Sequence, residues 1–179
     1  NYFCTVQELF NQYKPTLLFI VKFFVFYALG SWLYGLYLNT YPDRLDPFSV
    51  WVTRQSSYLL GLIQNDIITR YYEGMTSAYV YCGNSPIYSI IEGCNAMSVM
   101  ILFVAFLLAF KAPLKNYLWF IPTGLIILHV SNIIRIASIG KINAHIPEWS
   151  QAAHDYLFPA WIYGTVILLW IVWVKYLSK

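Results

Sequence analysis

Four apolar runs, each near the length that crosses a bilayer, constrain this chain more than any other feature. A hydrocarbon core of about 30 Å takes roughly 20 residues of helix to span. Runs of that order occupy residues 15–38, 94–110, 117–136 and 157–177. Trp32, Tyr34, Tyr37, Tyr117, Trp119, Trp161, Trp173 and Tyr176 stand near their ends, where aromatic belts form at membrane interfaces. Composition points the same way: 59% of the 179 residues are hydrophobic and 11% are charged, against about 25% charged in a soluble domain. Such apolar content excludes a disordered chain, and a net charge of +3 is too small for an electrostatic nucleic-acid binder. The first run continues to Leu38, longer than the apolar stretch of a secretory leader, so an anchored helix is expected there.

Short basic flanks stay on the cytoplasmic side. Lys14, the connection carrying Lys111 and Lys115, and the terminal Lys175 and Lys179 agree on one orientation, with both termini cytoplasmic. Seven of the eight acids, all but Glu8, then fall in two outer segments, 39–93 and 137–156. Within the longer segment, Trp51, Tyr58, Leu59, Leu62 and Ile63 recur at helical spacing. They predict an amphipathic helix over 48–64, lying along the membrane surface or on the bundle, with Arg54, Gln55 and Gln64 on its polar side. Ile67–Tyr72, Met75–Tyr81 and Ile87–Ile91 are short β-branched and aromatic runs separated by Glu73-Gly74 and Gly83-Asn84-Ser85, the pattern of a small β-meander. The expected fold is a single domain: an all-α integral membrane bundle of four transmembrane helices, with an external amphipathic helix and a small external meander.

Ionisable residues inside spans are costly and mark candidate functional sites. Cys94 lies 17 residues before Lys111, about 25 Å if helical, and Arg135 lies 20 residues after Lys115, about 30 Å. Two helices joined by so short a turn are antiparallel neighbours, so Cys94 and Arg135 are expected to meet at the outer surface. His154, 21 residues before Lys175, reaches the same layer. A thiol is a weak nucleophile until a base or cation favours the thiolate. An imidazole can take its proton and return it to a leaving amine, and a guanidinium can hold a thiolate or an oxyanion. Each residue also has a structural reading: Cys94 as a small buried hydrophobe, Arg135 as a snorkelling side chain, His154 as a helix-end partner of Asp155.

At Glu92-Gly93-Cys94, Asn132-Ile133-Ile134-Arg135 and His154 the chain resembles the exosortase and archaeosortase family of membrane cysteine transpeptidases, and in its short length the compact type F exosortases. The resemblance covers roughly residues 87–164. It implies Cys94 as nucleophile, Arg135 as stabiliser of the thiolate or oxyanion, and His154 as general acid/base. Asn132, at i−3, faces the same side as Arg135 and can orient it; Glu92 and Asn95 flank the nucleophile without an assigned role. It further implies substrates exported across the membrane that carry a C-terminal signal of motif, transmembrane helix and basic tail. The acceptor would be a lipid, a glycan or water, and the site would face outward from the bacterial inner membrane. Where many members follow the cysteine with Ser or Ala and then Gly, this chain has Asn95-Ala96.

Two other functions compete. A thiol-disulfide oxidoreductase would use Cys82 and Cys94, although the chain has no closely spaced cysteine pair. A non-enzymatic membrane scaffold would use Arg135 and His129 as buried polar glue. A zinc protease would require H-E-x-x-H and a rhomboid-like serine hydrolase G-x-S-x-G, and neither motif is present. His129 is expected to be a hydrogen-bonded interior histidine and His145 to be solvated. Pro122 and Gly124 are expected to bend the third span and open a lateral entrance. No metal ion or organic cofactor is implied.

Overall fold

The computed structural model describes the backbone of residues 2–178 and the side chains of residues 12–178, so the Cys4 and Glu8 side chains lie outside the described residues. The elements run α1 (Tyr2–Leu38), α2 (Pro47–Gly61), β1 (Ile67–Tyr71), β2 (Ser77–Cys82), β3 (Ser85–Ile91), α3 (Met97–Ala109), α4 (Leu114–His145), α5 (Ser150–Ala152) and α6 (Phe158–Val172). A π turn, Ala153–Leu157, joins α5 to α6.

Among the described residues, three helical stretches are long and apolar enough to cross a membrane: Gln12–Leu38, Leu114–His145 and Pro147–Leu177. The expected second span is shorter than its apolar run. Helix α3 has 13 residues, about 20 Å, and Cys94 lies outside it in a 3₁₀ turn, Glu92–Cys94. Ala96 separates turn from helix at φ 62°, a left-handed conformation that cannot continue a right-handed helix. The third span is longer than expected. Helix α4 has 32 residues, about 48 Å, so it takes in the first part, 137–145, of the expected outer segment 137–156. Its extension is held by Asn143, whose Nδ2 donates to the Ile87 carbonyl of β3 at 2.7 Å. Gly140 lets β3 and α2 approach, since a Cβ there would lie 2.5 Å from Tyr88 Cε1 and 2.7 Å from Leu60 Cδ2.

Helix α2 forms close to the expected range, and the side it turns to the protein is its small, hydroxyl-bearing one. Asp46 caps it, accepting from the N–H groups of Phe48 and Ser49 at 3.0 Å each, with Pro47 in the first turn where a missing N–H is harmless. Its buried side is Ser49, Val52, Thr53, Ser56, Ser57 and Leu60, whereas Trp51, Tyr58, Leu62 and Ile63 are exposed. Close packing on α4 selects small side chains, and hydroxyls can bond their own helix, as Thr53 does to the Ser49 carbonyl at 2.7 Å. Strands β1, β2 and β3 form the expected antiparallel meander in sequential order, turning at Gly74 (φ 75°) and Gly83 (φ 60°), with a bulge at Val80/Tyr81.

Two apolar clusters fix the architecture. In the larger, Phe103 and Leu107 of α3 pack with Phe120 and Leu128 of α4, Ile162 and Val166 of α6, and Trp173. In the smaller, Val52 of α2, Ile90 of β3 and Ile136 of α4 meet, with Tyr88 and Cys94 against them. Cys94 therefore lies where the helical bundle joins the sheet. Lipid supplies no hydrophobic drive between helices, so polar contacts add to shape. Trp161 Nε1 donates to Ser131 Oγ at 2.8 Å, tying α6 to α4.

Candidate active site

The turn that carries Cys94 is stapled from three sides through its neighbour Asn95, which is 1% exposed. Asn95 Nδ2 donates to Tyr34 Oη of α1 and to Ser49 Oγ of α2, both at 2.8 Å, and its Oδ1 accepts from the Met97 N–H at 2.8 Å. Asn95 thus satisfies a free amide at the start of α3 while anchoring the turn to two other helices. Helix N-termini favour negative charge, and Cys94 sits three residues before this one. Ala96 holds the left-handed conformation there, one that favours glycine, at the position where Gly is common in the resembled family.

A second tether comes from α4. Asn132, 0% exposed, donates from Nδ2 to the Cys94 carbonyl at 2.9 Å and accepts at Oδ1 from Arg135 Nη1 at 3.1 Å. One carboxamide therefore sets both the backbone of the thiol residue and the direction of the guanidinium. Arg135 is half-buried, and its Nε is buried without a hydrogen-bond partner. That leaves a donor able to serve a peptide carbonyl or an oxyanion. Its charge lies within electrostatic range of the Cys94 sulfur and of the Tyr163 hydroxyl.

His154 makes its hydrogen bond outside this cluster. It lies in the Ala153–Leu157 π turn with its side chain 66% exposed, and its Nδ1 is 3.2 Å from Asp155 Oδ1. Gln151 Nε2 donates to the other carboxylate oxygen at 2.6 Å. Among the described residues, no hydrogen bond joins His154 to Cys94, Asn132 or Arg135. Glu92 is partly exposed, and its contribution is a backbone carbonyl accepting from the Asn95 N–H at 3.4 Å.

Cys82 and Cys94 are both unpaired, and Cys82 Sγ accepts from Gln64 Nε2 at 3.3 Å on the sheet. His129 is hydrogen-bonded, its Nε2 2.7 Å from Gln55 Oε1, and its ring stacks on Trp51 at 4.4 Å. Gly124 packs against Phe103 of α3. Leu125 and Ile126, next to it, line an apolar cavity of about 610 Å³ between α1, α2, α3 and α4 that reaches from Met97 to Leu108. Sequence reasoning left Asn95 without a role and placed Tyr34 and Tyr37 in an aromatic belt. Tyr37 donates to the Asp46 cap at 3.1 Å, and Tyr34 holds Asn95. The signal within reach was the Asp46-Pro47 helix start, which puts Ser49 in the first turn of α2.

Three long apolar helical stretches, a free thiol beside a helix N-terminus and a guanidinium tethered to that thiol's backbone define a multi-pass membrane protein with a candidate thiol centre. The transmembrane exosortase family model matches residues 10–176, and the chain belongs to that family. No curated protein and no solved structure matches it.

Proposed function

We propose that this protein is a cysteine transpeptidase that cleaves C-terminal sorting signals of exported proteins. The observation that carries the reading is the continuous chain Cys94 carbonyl, Asn132, Arg135, in a chain of the transmembrane exosortase family. Cys94 is the nucleophile. Its thiolate attacks the scissile carbonyl, and the resulting oxyanion is held by the Arg135 donors that Asn132 leaves free. His154, with Nδ1 turned to Asp155, uses Nε2 to take the thiol proton and deliver it to the departing amine. The C–N bond breaks as the thioester forms. An acceptor nucleophile, on a lipid, a glycan or water, then attacks the thioester and restores the thiol. His154 meets the Cys94 thiol in the substrate complex from the π turn that carries it.

The topology proposed with it has four membrane passes, the short α3 completing its crossing through the Glu92–Ala96 turn. Both termini are cytoplasmic and the Cys94 layer faces outward from the inner membrane. Substrates are exported proteins with a motif, a transmembrane helix and a basic tail. Co-expression with such a substrate, read as a gel shift, tests the reading. Cys94→Ala is expected to abolish processing, Arg135→Ala and His154→Ala to reduce it strongly, and Cys82→Ser to leave it unchanged. Unimpaired processing by Cys94→Ala would overturn it, and loss in Cys82→Ser alone would favour redox chemistry.

A further inference from the structure

The apolar cavity has a length, a lining and an adjoining basic pocket that together describe a ligand. It follows α3 from Met97 to Leu108, 11 residues or about 16 Å of helix. One leaflet of a bilayer core is about half of 30 Å deep, so the cavity matches a single leaflet. Phe26 and Leu33 of α1 and Leu125 of α4 form its walls, and nearly all of its lining is carbon. A helix about 11 Å across and 30 Å long fills several times the 610 Å³ available, so a whole transmembrane segment does not fit within it, whereas acyl chains of one leaflet do.

Trp51 of α2 closes the Met97 end and also lines an adjoining pocket of about 440 Å³. Arg44 and Arg54 line that pocket, and both recur in the next one, beside Tyr71 and Tyr72. Among the described residues neither arginine forms an ion pair, even with Asp43 next in sequence to Arg44. Arg44 lies over the Tyr41 ring at 5.2 Å. Two guanidinium groups without ion pairs, in a pocket that shares Trp51 with the leaflet-deep apolar cavity, complement a molecule with an anionic head and hydrocarbon chains.

We propose that the α1–α3–α4 cavity binds an anionic phospholipid, its acyl chains against α3 and its phosphate on Arg44 and Arg54. The site rests on the chain being a membrane protein and is independent of any role for Cys94. Trp51 marks the boundary between chain and headgroup, as an indole does at a membrane interface.

Native mass spectrometry of the purified full chain in detergent tests this, with phosphatidylglycerol and phosphatidylcholine of identical chains added separately. Phosphatidylglycerol is expected to bind about tenfold to thirtyfold more tightly, the gain that two interfacial arginines supply. Arg44→Gln with Arg54→Gln should bring it down to the phosphatidylcholine level; both side chains are exposed, so folding is not at stake. Leu29→Trp, which fills the cavity from a half-exposed position on α1, should weaken both lipids and leave the preference between them intact. Equal binding of the two lipids, or an unchanged preference in the arginine variant, overturns the proposal. Inorganic phosphate displacing phosphatidylglycerol at low millimolar concentration would make this a free phosphate site and also overturn it. So would displacement by an uncharged apolar transmembrane peptide, which would make the cavity a peptide groove.

Discussion

Asn132 and Tyr88 show how single polar groups behave where the helical bundle meets the sheet. Asn132 is the only side chain hydrogen-bonded to both the Cys94 backbone and Arg135 among the described residues. Asn132→Ala leaves a buried carbonyl and a guanidinium N–H unpaired, a cost of about 1–3 kcal/mol in thermal unfolding. Misplacing the thiol is expected to lower processing by about a hundredfold. Asn132→Asp, which keeps the acceptor for Arg135, should recover part of that loss. A purely structural role for Asn132 would move the unfolding temperature and leave the alkylation rate of Cys94, measured against Cys82, unchanged. Tyr88 presents the opposite case. Its hydroxyl is buried without a hydrogen bond, facing Ser56 and Ser57, and burial pushes its ionisation up to about 12 from 10.0. The folded state therefore keeps a proton that the unfolded chain releases, so stability is full below pH 10 and falls between pH 10 and about 12. Tyr88→Phe should remove about 2–3 kcal/mol of that alkaline loss and cost little at neutral pH, as read from unfolding midpoints across the range. Cys94 and Arg135 stood out in the sequence as reactive groups in apolar runs, and an i, i+3 spacing put Asn132 on the face of Arg135. The roles of Asn95, Tyr34 and Ser49 were not, because their hydrogen bonds join residues 46 and 61 positions apart.

The helices meet at places where a side chain is missing. A Cβ at Gly124 would collide with the ring of Phe103, which is fully buried. Gly124→Ala is therefore expected to destabilise by about 1–3 kcal/mol through overpacking, even though alanine is the better helix former. Gly164→Ala on α6, with nothing within 4 Å of its would-be Cβ, should be neutral or gain up to about 1 kcal/mol. Thermal unfolding of both variants in one detergent separates close approach from propensity. The meander was legible because alternation and turn residues are local signals, and its strands fall where those signals put them. The buried face of α2 was not. Hydropathy left open whether Trp51, Tyr58 and Leu62 face the membrane surface or the bundle, while the contact with α4 took the small, hydroxyl-bearing side. The lengths of α3 and α4 also escaped, since the left-handed Ala96 and the docking of Asn143 on β3 depend on distant contacts.

Across the whole molecule, Asn116 Nδ2 donates to the Leu177 carbonyl at 2.7 Å, so the α3–α4 connection and the end of the last helical stretch lie at one end of the bundle. The sheet packs on α2 and on the far part of α4. A maleimide that cannot cross the membrane should label Ser85→Cys in intact spheroplasts and Leu114→Cys only after lysis, in a background with Cys4, Cys82 and Cys94 replaced by serine. The reverse pattern would put the thiol layer in the cytoplasm and exclude exported substrates. By itself the sequence determined that the chain is a multi-pass membrane protein, that a three-stranded meander joins its helices, and which thiol, guanidinium and imidazole are candidates for chemistry. All of these follow from local composition and period, because in lipid a helix satisfies its own backbone without help from its neighbours. Only the tertiary structure decided where α3 begins, how far α4 extends, which face of α2 is buried, and that Asn95 and Asn132 hold the Cys94 turn while His154 pairs with Asp155. Those outcomes depend on close approach and on hydrogen bonds between residues far apart in the chain, and no local pattern records them.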